Sequence, residues 1–240
     1  MKIGVIGCGT IASAVVHGIA GDGHHITVSE RSENHAKTLA DAYANVQVAD
    51  NQSVLDASDV IFLALMSEVA QEVLGNLRFR DTQQVITFMA GATLQQVDAM
   101  VEPARAVAIM MPFPNIAKGG SPVMMRGDAE LVGAIFGHRN KIFPLKTTEE
   151  MDAYLCAQAV LSPVTRMVGD AAQWMGERVS DKAQGEVFLR ALVSSNLSAT
   201  GSDELIDALN TPGGYNQRLR LHMEAAGMRD SLKDGLNKLV

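Results

Sequence analysis

The sequence predicts an α/β domain built on a parallel sheet over residues 1–146, followed by an all-helical domain over residues 147–240. Three observations predict it. Short apolar runs that do not alternate with polar residues are separated by helical patterns, as expected for strands covered on both faces by crossover helices. A glycine-rich turn joins the first run to the first helix. Beyond Thr147 the strand-like runs stop and helical spacing takes over. The length agrees, since 240 residues make about one and a half domains of roughly 150 residues each.

Ile3–Ile6 reads as a buried strand and Ile11–Ile19 as the helix after it; His25–Val28 is the second strand. Ser32 is the expected N-cap of a helix reaching Ala44, with Ala36, Leu39, Ala40 and Tyr43 at helical spacing. Further strands are expected at Asn45–Val48, Val60–Leu65, Val85–Phe88 and Ala106–Met110. Helices at Glu68–Leu77 and Leu94–Val101, the second capped by Thr93, lie between the last three, and Val123–Arg126 and Ile142–Pro144 extend the sheet at its far edge. Thr147 with Glu150 forms a capping box that opens the helical domain. Helices are expected there at Glu149–Met175, Asp181–Ala199, Asp203–Leu209 and Gly214–Gly227, with a short one at the C-terminus. Only Ser162-Pro163 and Thr211-Pro212-Gly213-Gly214 interrupt them.

Composition excludes several functions. A net charge of −7 argues against binding to nucleic acid or anionic membranes. Two cysteines, Cys8 and Cys156, cannot form a disulfide framework or a four-cysteine metal site, and they suit a reducing, cytoplasmic setting. Ile3–Ala20 follows Lys2 and carries no charge apart from a protonated His17, and Ala12-Ser13-Ala14 imitates an export cleavage site. Gly4, Gly7 and Gly9 break that apolar region, so export is not expected. No later run approaches the roughly 18 residues that span a bilayer. His24-His25 reads as a solvated turn without ligand partners, and His17 as packed or exposed.

Gly7-Cys8-Gly9-Thr10-Ile11-Ala12 is G-x-G-x-x-A, directly after a strand and opening a helix. Gly7 permits the tight turn, Gly9 lets the backbone approach a pyrophosphate at the helix N-terminus, and Ala12 is small enough for close helix–strand packing. An acid, Glu30, follows the second strand in Val28-Ser29-Glu30-Arg31-Ser32. A carboxylate there suits the ribose hydroxyls of NAD, whereas Arg31 with Ser32 suits the 2′-phosphate of NADP. Both are present, and the arginine tilts the expectation to NADP.

With these residues in view, the chain resembles the pyrroline-5-carboxylate reductases over essentially its full length. The glycine loop is similar, and so is Ser29-Glu30-Arg31-Ser32, where the family often has Ser/Thr-x-Arg-Ser/Thr. Asn51, ahead of the helix leading to Asp59-Val-Ile-Phe-Leu-Ala64, resembles a family asparagine that contacts the cofactor. Ala90-Gly91-Ala92-Thr93-Leu94 resembles A-G-x-[ST]-L, Met111-Pro112 begins like M-P-N-T-P, and Thr211-Pro212-Gly213-Gly214 resembles S-P-G-G. The resemblance implies a Rossmann-type domain followed by a helical dimerisation domain, and hydride transfer from NAD(P)H to a cyclic imine in proline biosynthesis. It also places Ala64, Leu65 and Met66 at the cofactor. The chain departs from the family elsewhere. A-V-K-P becomes Ala64-Leu65-Met66-Ser67, the asparagine of M-P-N-T-P becomes Phe113, S-G-S-G-P-A-Y shrinks to Val160-Leu161-Ser162-Pro163-Val164, and a threonine becomes Asn216. The cofactor elements are better kept than the substrate elements. Two alternatives therefore stand beside imine reduction: a reductase or dehydrogenase for another imine or oxo acid, and a dinucleotide-binding regulator without turnover.

Pro212 biases Thr211 to an extended backbone, and Gly213-Gly214 then free the chain just ahead of a helix whose amides favour a carboxylate. Arg218 and Arg220 make that helix basic. Thr211 and Asn216 are the candidates to hydrogen-bond a substrate ring nitrogen, with Gly213, Gly214 and Arg218 holding an anionic end. The C-terminal helices carry long apolar stripes with few aromatics, which fits burial against a second copy in a homodimer or higher homo-oligomer.

Overall fold

The computed structural model describes residues 1–239 and divides into two units after Met151, a few residues beyond the boundary expected at 146. In the first unit the chain alternates β1 (Lys2–Ile6), α1 (Thr10–Ile19), β2 (His25–Ser29), α2 (Glu33–Ala42), β3 (Val46–Ala49), α3 (Asn51–Asp56) and β4 (Val60–Leu63). It continues through α4 (Ser67–Leu74), β5 (Gln84–Thr87), α5 (Leu94–Val101), β6 (Arg105–Met111), β7 (Pro122–Gly127), α6 (Ala129–Phe136) and β8 (Lys141–Pro144). A 3-10 turn at Pro114–Ala117 follows β6.

These strands make one eight-stranded sheet in the order β3-β2-β1-β4-β5-β6-β7-β8. β1 to β6 run parallel, whereas β7 pairs antiparallel to β6 and carries β8 alongside it. The strand order reverses between β1 and β4, which is the Rossmann arrangement. Because side chains alternate across a sheet, Ile61 and Leu63 join one buried cluster with Ile6, Val54, Leu74 and Val97, while Phe62 joins the other with Ile3, Val5, Val16 and Phe136. Each fully buried side chain of this size contributes about 1.5–3 kcal/mol.

Several local expectations change on contact with the structure. Ser32 occupies the cap position of α2 but its hydroxyl makes no capping bond. Asp50 is the working cap of α3, accepting from the Ser53 hydroxyl and from the amides of Ser53 and Gln52, and these bonds hold its carboxyl below the usual range. α6 was not expected; Asp128 caps it through the Leu131 amide. His24 is not solvated: it is buried, with its Nδ1 3.3 Å from the N-terminal amine, and burial lowers its pKa. His17 does pack, its Nδ1 lying 2.9 Å from the Tyr43 hydroxyl. At the junction Thr147 accepts from the Glu150 amide, but Glu150 reaches back to the Lys146 amide rather than closing a reciprocal box.

Helix α7 (Thr148–Ala157) bridges the boundary. The second unit then contains α8 (Leu161–Gly176), α9 (Lys182–Ala199), α10 (Ser202–Ala208), α11 (Tyr215–Ala225) and α12 (Met228–Asn237). The expected single helix 149–175 is broken by a 3-10 turn at Gln158–Val160. Pro163 then falls in the first turn of α8, where a missing amide costs nothing. Asp181 caps α9 by accepting from the Gln184 amide at 2.9 Å. Among the described residues of this unit only Gly176 is buried.

Candidate functional site

The carboxyl ends of β1 and β4 flank the point where the strand order reverses, the crevice in which open α/β sheets bind ligands. The loop leaving β1 is shaped for it. Gly7 has φ +90°, and a Cβ there would strike the Ala64 carbonyl oxygen. Over Gly9, by contrast, a Cβ would meet nothing within 4 Å, so the backbone presents open space. α1 starts here without a side-chain cap, leaving the amides of Thr10, Ile11 and Ala12 for an outside acceptor. The cradle fits a pyrophosphate: peptide donors, the positive end of a ten-residue helix, and room above.

One neighbour of the loop has a role the sequence did not disclose. Ser29 was expected to touch the cofactor. It is buried, and its Oγ accepts from the Gly7 amide at 3.0 Å, so it sets the conformation of the loop. Cys8 is fully buried beneath the loop, and burial pushes its thiol from 9.0 up to about 11. It acts as a small apolar filler.

At the end of β2, Glu30 and Arg31 are exposed side by side, followed by the uncommitted hydroxyl of Ser32 at the start of α2. Arg31 and Ser32 supply donors that suit a phosphate monoester, whereas the Glu30 carboxylate suits ribose hydroxyls. Asn51 is the first residue of α3, half-buried. After β4, Leu65 is buried while Met66 is 70% exposed. Ser67 donates to the Ala90 carbonyl at 3.1 Å, tying the β4 and β5 exits together. Buried Thr87 accepts from the Met89 amide at 3.1 Å and fixes the turn toward Ala90-Gly91. Met111 ends β6 buried, and Pro112 and Phe113 follow half-buried. Gly7 to Ala12, Ser29 to Ser32, Asn51, Ala64 to Met66 and Met111-Pro112 thus all lie at strand exits, in the loops leaving them or in the first turn of the next helix.

The second unit holds the remaining candidates in the turn before α11 and in the first turn of that helix. Thr211, Pro212, Gly213, Asn216 and Arg218 are exposed, and Gly213 has φ +74°. The amides of the two glycines are already engaged. Gly213 donates to Gln217 Oε1 at 2.8 Å and Gly214 to the Thr211 carbonyl at 2.9 Å. Arg220 is also committed, making two 2.9 Å bonds to Glu224 and one to Asn210 Oδ1. Of the two arginines that make α11 basic, Arg218 is the one left facing solvent.

Comparison with known proteins agrees with this geometry. A family model described as "NADP oxidoreductase coenzyme F420-dependent" matches residues 2–91. A pyrroline-5-carboxylate reductase of Corynebacterium melassecola is 32% identical over 142 residues, 53% of this chain and 52% of that protein, so this match spans about half of each. Pyrroline-5-carboxylate reductase 2 of Bacillus subtilis is 25% identical over 94% of this chain and 83% of its own length. Among solved structures, the 1-pyrroline-5-carboxylate reductase of Streptococcus pyogenes superposes with a TM-score of 0.84 at 23% identity, covering 100% of this chain and 96% of that one. The Plasmodium falciparum pyrroline carboxylate reductase with NADP bound gives 0.83 at 15% identity, over 100% and 95%. Fold and glycine loop together define a Rossmann-type dinucleotide-binding protein. More narrowly, the chain is similar to pyrroline-5-carboxylate reductases, at 25% identity over 94% of its length and in fold over all of it.

Proposed function

We propose that the protein is an NADP-dependent oxidoreductase acting on a C=N bond, reducing a cyclic imine of the 1-pyrroline-5-carboxylate type to the corresponding cyclic amino acid. The observation that carries this reading is the cradle at the β1–β4 exit, with Gly7 in the left-handed region, space above Gly9, and uncapped amides on α1. When bound, NADPH supplies the hydride. Gly7, Cys8, Gly9, Thr10, Ile11 and Ala12 form the pyrophosphate loop with Ser29 holding it from beneath. Arg31 and Ser32 hold the 2′-phosphate, and Asn51, Ala64, Leu65, Met66, Met111 and Pro112 line the rest of the cofactor site.

A protonated C=N accepts hydride readily, so holding it in attack geometry supplies much of the rate. In this reading Thr211 or Asn216 hydrogen-bonds the ring nitrogen, and Arg218 attracts the substrate carboxylate. Gly213 and Gly214 contribute by shaping the turn, since their amides are occupied. Phe113 stands where the relatives' motif has asparagine, which favours, as a second reading, an imine or oxo acid other than 1-pyrroline-5-carboxylate.

The helical unit is read as half of a shared structure. Leu161, Trp174, Val187, Phe188, Leu197 and Leu219 are each more than half exposed in the single chain. Apolar residues lie around α9 rather than along one stripe, as in a helix buried on several sides. Val160, Pro163, Val164, Met167, Leu232 and Leu236 line an apolar groove of about 800 Å³ between α8 and α12. A second copy of this chain, presenting the same faces by two-fold symmetry, is the occupant that fits. The two free cysteines support a reducing, cytoplasmic setting for such a homodimer.

NADPH oxidation with a panel of cyclic imines and oxo acids, run beside calorimetry of NADPH binding, tests the function. Turnover of a cyclic imine is expected. Tight NADPH binding with no turnover of any panel member would replace the reductase by a nucleotide-responsive regulator.

A further inference from the structure

Asn210, Gln217 and Glu224 lie outside every motif that pointed to function and Arg220 entered only as part of a basic face, yet together they form the most connected polar group among the described residues of the helical unit. Gln217, Arg220 and Glu224 fall at i, i+3 and i+7 on α11 and so share one face. Gln217 accepts from the Gly213 amide through Oε1 and donates through Nε2 to Asn210 Oδ1 at 3.1 Å. Arg220 donates to the same Asn210 oxygen at 2.9 Å and is held by a bidentate pair with Glu224. The side chains of Arg220 and Glu224 are 29% and 27% exposed, so water screens this pair less than the other ion pairs of α8 to α12.

These bonds tie down both sides of the turn. Asn210 precedes it and Gly213 lies inside it. Packing cannot do this, because Thr211, Pro212 and Gly213 are all exposed. Two consecutive glycines give the segment a large loss of conformational freedom on ordering. A turn that must present Thr211 and Asn216 in one arrangement therefore needs an outside restraint, and α11 supplies it through its own side chains.

We propose that Asn210, Gln217 and Arg220, braced by Glu224, are positioning residues that hold the Thr211–Gly214 turn in its substrate-binding form. The proposal rests on the reading of the protein as a cyclic-imine reductase whose substrate meets this turn. The restraint is made before substrate arrives, so its loss appears in substrate affinity, while cofactor affinity and the chemical step are spared.

The test is Gln217→Leu, which keeps the bulk and removes both bonds, beside Gln217→Glu, which keeps the acceptor for Gly213. Amide hydrogen exchange is read at Gly213, and steady-state kinetics are measured with NADPH and 1-pyrroline-5-carboxylate or the best imine of the panel. For Gln217→Leu, exchange at Gly213 is expected to quicken about tenfold. KM for the imine rises by about the same factor, kcat stays within about twofold, and the NADPH Kd is unchanged. Gln217→Glu restores most of the KM. Unchanged exchange at Gly213 overturns the clamp itself. Quicker exchange with an unchanged imine KM overturns its role in positioning. A wild-type protein inert toward every imine overturns the reading of function and this role with it, while the exchange measurement still decides whether the clamp exists.

Discussion

Within one chain, the two units use apolar residues in opposite ways. In the first, a sheet covered by helices on both faces closes two clusters, with Phe62, Phe136 and Ile61 fully buried. In the second, Phe188, Leu197 and Trp174 are more than half exposed and the single chain buries only Gly176 among its described residues. The difference teaches that apolar content does not by itself make a core. A sheet offers two continuous faces that crossover helices can cover. Helices that keep exposed apolar faces can be covered only by more helices, and in the proposed dimer these are a second chain's.

Breaking either side of this contrast has distinct effects. Gly7→Ala has the largest. It forces a side chain into the left-handed region and against the Ala64 carbonyl, so the loop must move. Strain alone costs about 1–3 kcal/mol, and the displaced backbone adds to it. Calorimetry should find no measurable NADPH binding, while sedimentation still shows a dimer. Phe188→Asp should do the reverse. Placing a charge in the shared helical layer costs about 3–5 kcal/mol of association. Sedimentation then shows monomer, turnover is lost, and NADPH affinity is retained.

Alkaline pH separates the closed unit further. Burial raises the Cys8 thiol from 9.0 to about 11, so the folded state keeps its proton where the unfolded state has lost it. Stability from this group is complete below pH 9 and declines between pH 9 and about 11, by about 2–3 kcal/mol in all. Urea unfolding should show this decline in the wild type, and a shallower one in Cys8→Ala. The smallest effect concerns cofactor choice. Arg31→Ala should weaken NADPH about tenfold and leave NADH unchanged. Equal losses for both would remove the 2′-phosphate contact.

Much of the first unit was legible because its strands are continuous apolar runs and its loop is a motif with fixed mechanics. α6 was missed although Asp128 with Leu131, Val132, Ile135 and Phe136 offered a cap and helical spacing. The reversed direction of β7 leaves no mark in composition. Ser29 looked like a cofactor ligand because it neighbours Glu30 in sequence. Its burial under Gly7 depends on β1 and β2 pairing in register. Arg220 looked available for an anion, and its i,i+4 spacing to Glu224 was the readable warning. The bonds of Asn210 and Gly213 to α11 were not readable, because they depend on how the Thr211–Gly214 turn folds back onto the helix.

The most direct measurement is the initial rate of NADPH oxidation with 1-pyrroline-5-carboxylate and related cyclic imines, with the product identified. A saturable rate that yields a cyclic amino acid, proline for the first of these substrates, is the expected result. NADPH bound with ordinary affinity but oxidised by none of them would contradict the account.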